Sequence, residues 1–370
     1  MRRSRAVAAA VLTPFVLLAA TEAIARLAFA APQAAWIPHP FVGRVRPPNL
    51  SLERVSLEDG STFRFETNAL GLRGRSIAGA EKPAGTYRIF FVGASTTENP
   101  NLPEEKTFPA IVERLLAAKL GGAPRVEVGN AGISGGDTDS TLANLAHRLL
   151  PLHPDLVVAL EGNDFFESLR EDWEPTTYYL ARSRPPRFTE WLVASSRFLG
   201  VLDASFGGGM ERDPRPQYRR RAKKRHDRPF VDPPPAVFLR GRDRFRENLG
   251  RMALLCDDAG AVLCLMTVAW LYKPEQPPDE DAVIWQTDPA ASSFNLTTAA
   301  ARRGADAYNE IVRSVARERG ALLVDLDAAV PHDLVNLVDD VHLSVAGNER
   351  AARAIVDGLL ASGALPRPRR

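Results

Sequence analysis

Four short stretches hold residue types that can do acyl chemistry together: Gly93-Ala94-Ser95, Asn130 to Thr138, Glu161 to Asp164, and Asp339 to His342. A serine hydroxyl is a weak nucleophile at neutral pH and needs a base beside it, and a histidine serves best when a third group orients its ring. Asp339 lies three residues before His342, and in a turn side chains at that spacing fall on one side. The carboxylate then accepts a hydrogen bond from one imidazole nitrogen and leaves the other free to take a proton. Of the six histidines (His39, His147, His153, His226, His332, His342), only His342 has this setting. Asp340 is the alternative acid. Attack on an ester carbonyl also builds an oxyanion, which a glycine N–H and the Asn163 amide would stabilise. Taken singly these pieces are ordinary: turn glycines, a helix N-cap at Asn163, a surface Asp-x-x-His loop.

Their positions along the chain make the argument. Ile89 to Val92 is a short apolar, β-prone run, and Gly93 ends it where a backbone without a Cβ can bend tightly. Ser95 therefore sits just past the carboxyl end of a strand, where open α/β sheets bind ligands. Strand-like and helix-like segments alternate from there: helix over Thr107 to Leu120, strand over Arg125 to Val128, helix over Asp139 to Leu150, strand over Asp155 to Leu160. The alternation continues with helix over Ala236 to Asp258, strand over Ala261 to Val268, helix over Arg302 to Arg319, strand over Ala321 to Leu326 and helix over Ser344 to Leu360. This pattern predicts βαβ units with right-handed crossovers, hence a three-layer α/β/α sandwich with a mostly parallel sheet. The second and third chemical stretches each follow an apolar strand, so all four converge on one end of that sheet.

In this order, Gly-x-Ser, then Asn-Ala-Gly-x-Ser-Gly, then Gly-Asn-Asp, then Asp-x-x-His, the chain from about Tyr87 to Leu360 resembles the SGNH (GDSL-type) hydrolase superfamily. The resemblance implies Ser95 as nucleophile, His342 as base and Asp339 as its orienting acid. It also implies an oxyanion hole made by the N–H groups of Ser95 and Gly135 and the side chain of Asn163, with no cofactor. The implied reaction is cleavage of an ester, such as O-acetyl or other acyl groups on an envelope or extracellular carbohydrate. With a sugar hydroxyl in place of water the same residues make an O-acyltransferase, and a non-catalytic, membrane-tethered carbohydrate-binding or assembly protein is the reading from another class. This chain departs from the family pattern at Ala94, where aspartate is usual, and at Glu161, where glycine is usual. Gly135 and Gly136 are adjacent, which leaves the donor open by one residue. Thr97 breaks the Gly-x-Ser-x-Gly elbow of α/β-hydrolases.

The remaining sequence frames this core. Arginines at positions 2, 3 and 5 precede an uncharged run from Ala6 to Ala20, so residues 1–31 read as a signal anchor, with a cleaved signal as the alternative. That places the protein in the cell envelope, held in the inner membrane and facing outward. Glu22 and Arg26, four apart, are spaced to pair. Proline-rich residues 32–86 read as a small β-rich extension packing on the sheet edge, with a substrate-binding role as the alternative, and 87–365 as the hydrolase domain. Two long segments, about 167–235 and 272–298, follow strands and read as lid-like insertions. The first contains the basic run Gln217 to Arg228, read as a solvated loop, with contact to anionic lipid or acidic polysaccharide as the alternative. Cys256 and Cys264 read as small core residues and no metal cluster is evident. Lys+Arg 47 against Asp+Glu 45 leaves a formal charge of +2, which gives no argument for nucleic acid. Oligomeric state is not readable from the pattern.

Overall fold

The computed structural model describes the chain except residues 1, 30–33, 75–76, 78, 123, 170–195, 207–212, 233–239, 288–294 and 366–370, and except the side chains of 2–12, 200 and 203–206. Parts of both expected insertions therefore lie outside the described residues. A long helix, α1 (Arg2–Ala28), opens the chain. Four short strands follow, β1 (Ile37–His39), β2 (Gly43–Val45), β3 (Ser51–Val55) and β4 (Thr62–Glu66), paired as two antiparallel hairpins.

The central sheet has five parallel strands: β5 (Thr86–Gly93), β6 (Arg125–Asn130), β7 (Leu156–Leu160), β9 (Val262–Met266) and β11 (Leu322–Val324), in the order β11-β9-β7-β5-β6. A two-residue parallel pair, β8 (Phe230–Val231) and β10 (Asn295–Leu296), joins the two insertions instead. All five residues of β7 are buried, which is why its sequence is uniformly apolar and does not alternate. The helices of the sheet are α3 (Phe108–Lys119), α4 (Thr138–Asn144), α8 (Arg242–Asp258), α10 (Thr298–Arg319) and α12 (Val345–Ser362). They form two packed groups, α3 with α12 and α8 with α4 and α10, that flank the sheet. Their ends follow local chemistry: Thr297 and Ser344 cap α10 and α12 through their hydroxyls, and Gly320 and Gly363 close them in left-handed conformation. The α/β fold read from the alternation is thus observed, within a residue or two for several of the predicted elements.

The sheet order decides where a site can form. β6 and β7 lie on opposite sides of β5, so the chain reverses its direction of travel across the sheet there. That reversal leaves a crevice beyond the carboxyl ends of the strands, at Gly93.

Two expectations need correction. Among the described residues no helix is long and apolar enough to cross a membrane, so the membrane span expected at 1–31 is not found there. The second half of α1 is instead engaged with the protein. Glu22 bonds Arg26 at 2.6 Å as its spacing suggested, but it also accepts the N–H groups of Arg197 and Phe198 and the Ser196 hydroxyl, capping α6 (Arg197–Phe206). Those donors, Phe198 first, hold its carboxyl down to about 2. The basic run is not a solvated loop either. It forms helix α7 (Arg215–Arg225), on which Arg225 is buried and bonds Thr287 and Asp281 of the second insertion. Cys256 and Cys264 are free and buried, as expected.

Candidate active site

Gly93 ends β5 at φ +141°, and a Cβ there would stand 2.2 Å from the carbonyl oxygen of Leu160 on the neighbouring strand. Only glycine fits, and the chain turns at once into a one-turn helix, α2 (Ser95–Glu98), with Ser95 as its first residue. Gly132 lets the second stretch come equally close, since a Cβ there would lie 2.3 Å from the Glu98 nitrogen. Ala94 is nearly buried and its carbonyl accepts the Glu98 N–H.

Ser95 and His342 are 247 residues apart in sequence, yet Ser95 Oγ lies 2.8 Å from His342 Nε2. On the other side of the ring, Nδ1 lies 2.8 Å from Asp339 Oδ2 and 2.9 Å from Oδ1. Asp339 is locked by its own loop, accepting the N–H groups of Val341 at 3.1 Å and His342 at 2.9 Å. Burial raises the Asp339 pKa, but the charge and hydrogen bonds of His342 and these N–H groups outweigh it and hold the carboxyl below its usual range. Burial depresses His342 in turn, and the charge and bond of Asp339 outweigh that, so its pKa is raised. Asp340, the alternative acid, is turned away: it accepts from the Tyr272 hydroxyl at 2.8 Å and from the N–H groups of Trp285 and Gln286. Burial and the neighbouring Asp339 push Asp340 up to about 6.

Gly135 and Asn163 line the same cavity as Ser95 and His342. Of the two adjacent glycines, Gly136 donates its N–H to the Ile133 carbonyl at 2.7 Å. Asn163 is not an N-cap. Gly162 occupies that position, Asn163 begins α5 (Asn163–Ser168), and its Nδ2 donates to the Gly136 carbonyl at 2.7 Å. One amide hydrogen is used in that bond, and the other remains to donate. Glu161, where the family pattern has glycine, is buried beneath this loop at 2 % exposure, and neither carboxylate oxygen reaches a partner at full hydrogen-bond geometry. Burial and the neighbouring Asp164 raise its pKa well above the usual range, with the Thr141 hydroxyl easing it in part.

Several supporting residues escaped the sequence reading. Trp285 Nε1 donates to Asp339 Oδ2 at 3.1 Å, so the second insertion holds the acid of the relay. Glu98, three residues after Ser95, is buried against Arg46 of the N-terminal extension at 2.7 Å and accepts the Ser134 hydroxyl. Arg73, also in the extension, donates to the carbonyls of Glu98, Asn99 and Leu102. It forms an antiparallel bridge to Asn130 at the β6 edge, so the extension does pack on the sheet edge, but it also braces the nucleophile helix. Asn348 links the Ser95 and His342 loops, accepting from Asn99 at 2.7 Å and donating to the carbonyls of Leu343 and Ser344. None of these has a local signal except the nearness of Glu98 to Ser95.

The cavity over Ser95 encloses about 370 Å³ and draws on distant parts of the chain: Trp36 and Arg44 from the extension, Tyr218 and Arg221 from α7, and Trp285 from the second insertion. Tyr218 stacks on Trp285 with ring centroids 4.7 Å apart and lies 6.2 Å from the His342 ring. Among the described residues no group of acidic, histidine or cysteine side chains is arranged to hold a metal.

A serine, a histidine and an aspartate in a hydrogen-bonded row at the switch point of a parallel sheet define a serine-type ester hydrolase architecture. The chain belongs to the GDSL-like lipase/acylhydrolase family, whose model matches residues 91–350, and is an ester hydrolase. No match was found among curated proteins. Similar solved structures include an acetylxylan esterase from Geobacillus stearothermophilus, 20 % identical, covering 74 % of this chain and 94 % of that one at a TM-score of 0.43. An alpha/beta hydrolase from the metagenome of Lake Arreo, Spain, is 18 % identical, with 76 % and 96 % covered at a TM-score of 0.41.

Proposed function

We propose that the protein hydrolyses short acyl esters on carbohydrate through an acyl-enzyme formed on Ser95. The observation that carries this is the continuous row Ser95 Oγ, His342 Nε2, His342 Nδ1, Asp339 Oδ2, with 2.8 Å at both contacts. As the Ser95 oxygen bonds the ester carbon, its proton passes to His342 Nε2, and Asp339 stabilises the imidazolium. The oxyanion is met by the N–H groups of Ser95 and Gly135 and the free amide hydrogen of Asn163. The carbon–oxygen bond to the alcohol then breaks, and His342 returns the proton to the leaving oxygen. Water repeats the sequence on the acyl-enzyme and frees the acid. A sugar hydroxyl in place of water would give transfer.

A short acyl group is favoured by the cavity lining, whose apolar members among the described residues are aromatics and prolines, Trp36, Phe166, Tyr218, Trp285, Pro100 and Pro214, with no Leu, Ile, Val or Met. Carbohydrate is favoured by the mixture of aromatic rings with polar side chains such as Asn101, Gln217 and Gln286 in that lining. Export to the cell envelope belongs to the proposal and rests on the arginines ahead of Ala6 to Ala20.

Hydrolysis of p-nitrophenyl acetate and labelling by a fluorophosphonate probe, compared between the full chain and Ser95→Ala, test this reading. Both signals should fall by roughly 10³-fold or more in the variant. Labelling at Ser95 without turnover would indicate a transferase deprived of its acceptor. Hydrolysis that survives Ser95→Ala would exclude the mechanism, and folded protein with neither signal would favour a binding role.

A further inference from the structure

Resting on that reading of Ser95, we propose that Asp340 is a positioning residue for the ester hydrolysis: it grips the main chain of Trp285, and Trp285 in turn fixes the acid of the relay. Asp339 and Asp340 are neighbours in sequence, and both hold the same residue of the second insertion. The Trp285 indole Nε1 donates to Asp339 Oδ2 at 3.1 Å, while the Trp285 main-chain N–H donates to Asp340 Oδ2 at 2.8 Å. The next N–H, that of Gln286, donates to Asp340 Oδ1 at 3.0 Å, and the Tyr272 hydroxyl donates to the same oxygen at 2.8 Å. A main-chain bond runs the other way, from the Leu271 N–H to the Asp340 carbonyl at 2.9 Å.

Asp340 and Tyr272 are both fully buried. The Asp340 carboxyl, pushed up to about 6, is still ionised at about pH 8. Three donors on a buried carboxylate make a strong tie, because hydrogen bonds to a charged group are shorter and roughly twice as strong as neutral ones. Asparagine cannot copy it. Its amide offers one acceptor oxygen, and its NH₂ group would face another donor.

The relay depends on this tie through Asp339. Within its own loop Asp339 accepts the N–H groups of Val341 and His342 through Oδ1, whereas Trp285 reaches Oδ2 from the second insertion. Oδ2 is also the oxygen 2.8 Å from His342 Nδ1. The faces of the indole are covered by Tyr218, with ring centroids 4.7 Å apart, and by the Arg221 guanidinium at 3.9 Å. Contacts of that kind let a ring slide, but a hydrogen bond is lost within a few tenths of an ångström or a few tens of degrees. The main-chain bonds to Asp340 set where along its own plane the indole comes to rest. Two residues on, Thr287 is bonded by the buried Arg225, so the segment is pinned on both sides of Gln286.

The test reads kcat for p-nitrophenyl acetate on the alkaline plateau of the pH profile, where His342 is neutral in every variant. That choice sets aside the direct action of the Asp340 charge, which also raises the His342 pKa. Asp340→Asn should lower the plateau kcat about tenfold to a hundredfold, and Trp285→Phe by a similar factor. The double variant should be no slower than the slower single one, within about twofold, because both changes break the same bond. Tyr272→Phe removes one hydroxyl from the cluster and should cost about threefold. That loss too should vanish in the Trp285→Phe background, and it carries the test if Asp340→Asn does not fold. Parental kcat in both Asp340→Asn and Tyr272→Phe, or losses that multiply in the double variants, would overturn the inference while leaving the esterase reading intact. Absent fluorophosphonate labelling and turnover in the parent chain would instead sink the Ser95 mechanism on which it rests.

Discussion

At the scale of single residues, the site is a set of charges whose protonation decides the rate. His342 accepts the serine proton only when neutral, and Asp339 raises its pKa. Hydrolysis should therefore climb with pH through a midpoint above that of a free imidazole, about 6.5. Asp339→Asn removes the anion that favours imidazolium, so the midpoint should move down while kcat falls by about 10⁴-fold. Trp285 acts through Asp339 and not on the substrate's reacting atoms. Trp285→Phe deletes a hydrogen bond to a charged group, which is worth about 1.5–3 kcal/mol, and kcat should drop about tenfold to a hundredfold. With that donor gone the carboxylate's charge bears more fully on the ring, so the midpoint should move up. Opposite shifts in the two pH profiles would separate the roles, and shifts of the same sign would contradict this account of Trp285.

The elements matter because the nucleophile sits on a helix of one turn, too short to hold itself. Its bracing comes from the extension, through Arg46 and Arg73, and from Asn348 at the start of α12. Burial raises the Glu98 pKa, and Arg46 overcomes it, so the carboxylate stays charged with its side chain 1 % exposed. Arg46→Leu would remove the direct ion-pair partner of that buried charge, and denaturant titration should show a loss of about 3 kcal/mol. Replacing both partners, Arg46→Leu with Glu98→Met, should recover most of it, since a buried pair exchanged for apolar side chains is close to neutral. If the single variant were as stable as the parent, the extension would not be bracing the active-site helix in the way described.

For the whole molecule, the strand order brings the four chemical stretches to one crevice, and buried acids lie among them. Asp164 is pushed up to about 7 by burial and by Asp137, and Glu161 is raised as well. Carboxyls that titrate near 4 when unfolded but hold their protons in the folded state make folding less favourable as pH rises. Stability should fall between about pH 4 and about pH 7 on their account, and Asp164→Asn should flatten that slope when denaturation midpoints are compared at pH 5 and pH 8. The sequence by itself determined the strands, through their uninterrupted apolar runs, the alternation with helices, and the serine, histidine and aspartate, through their settings at strand ends and in one loop. It misread the basic run, whose helix is stabilised by Thr287 and Asp281, more than 50 residues away. It was silent on the Arg46–Glu98 pair, 52 residues apart, and on the Trp285–Asp339 bond, 54 apart. Local patterns encode which backbone conformation a segment prefers, because that preference depends on near neighbours. Which side chains meet across a cleft depends on how finished elements pack, and that was decided only when the sheet closed and the extension and insertions folded over it.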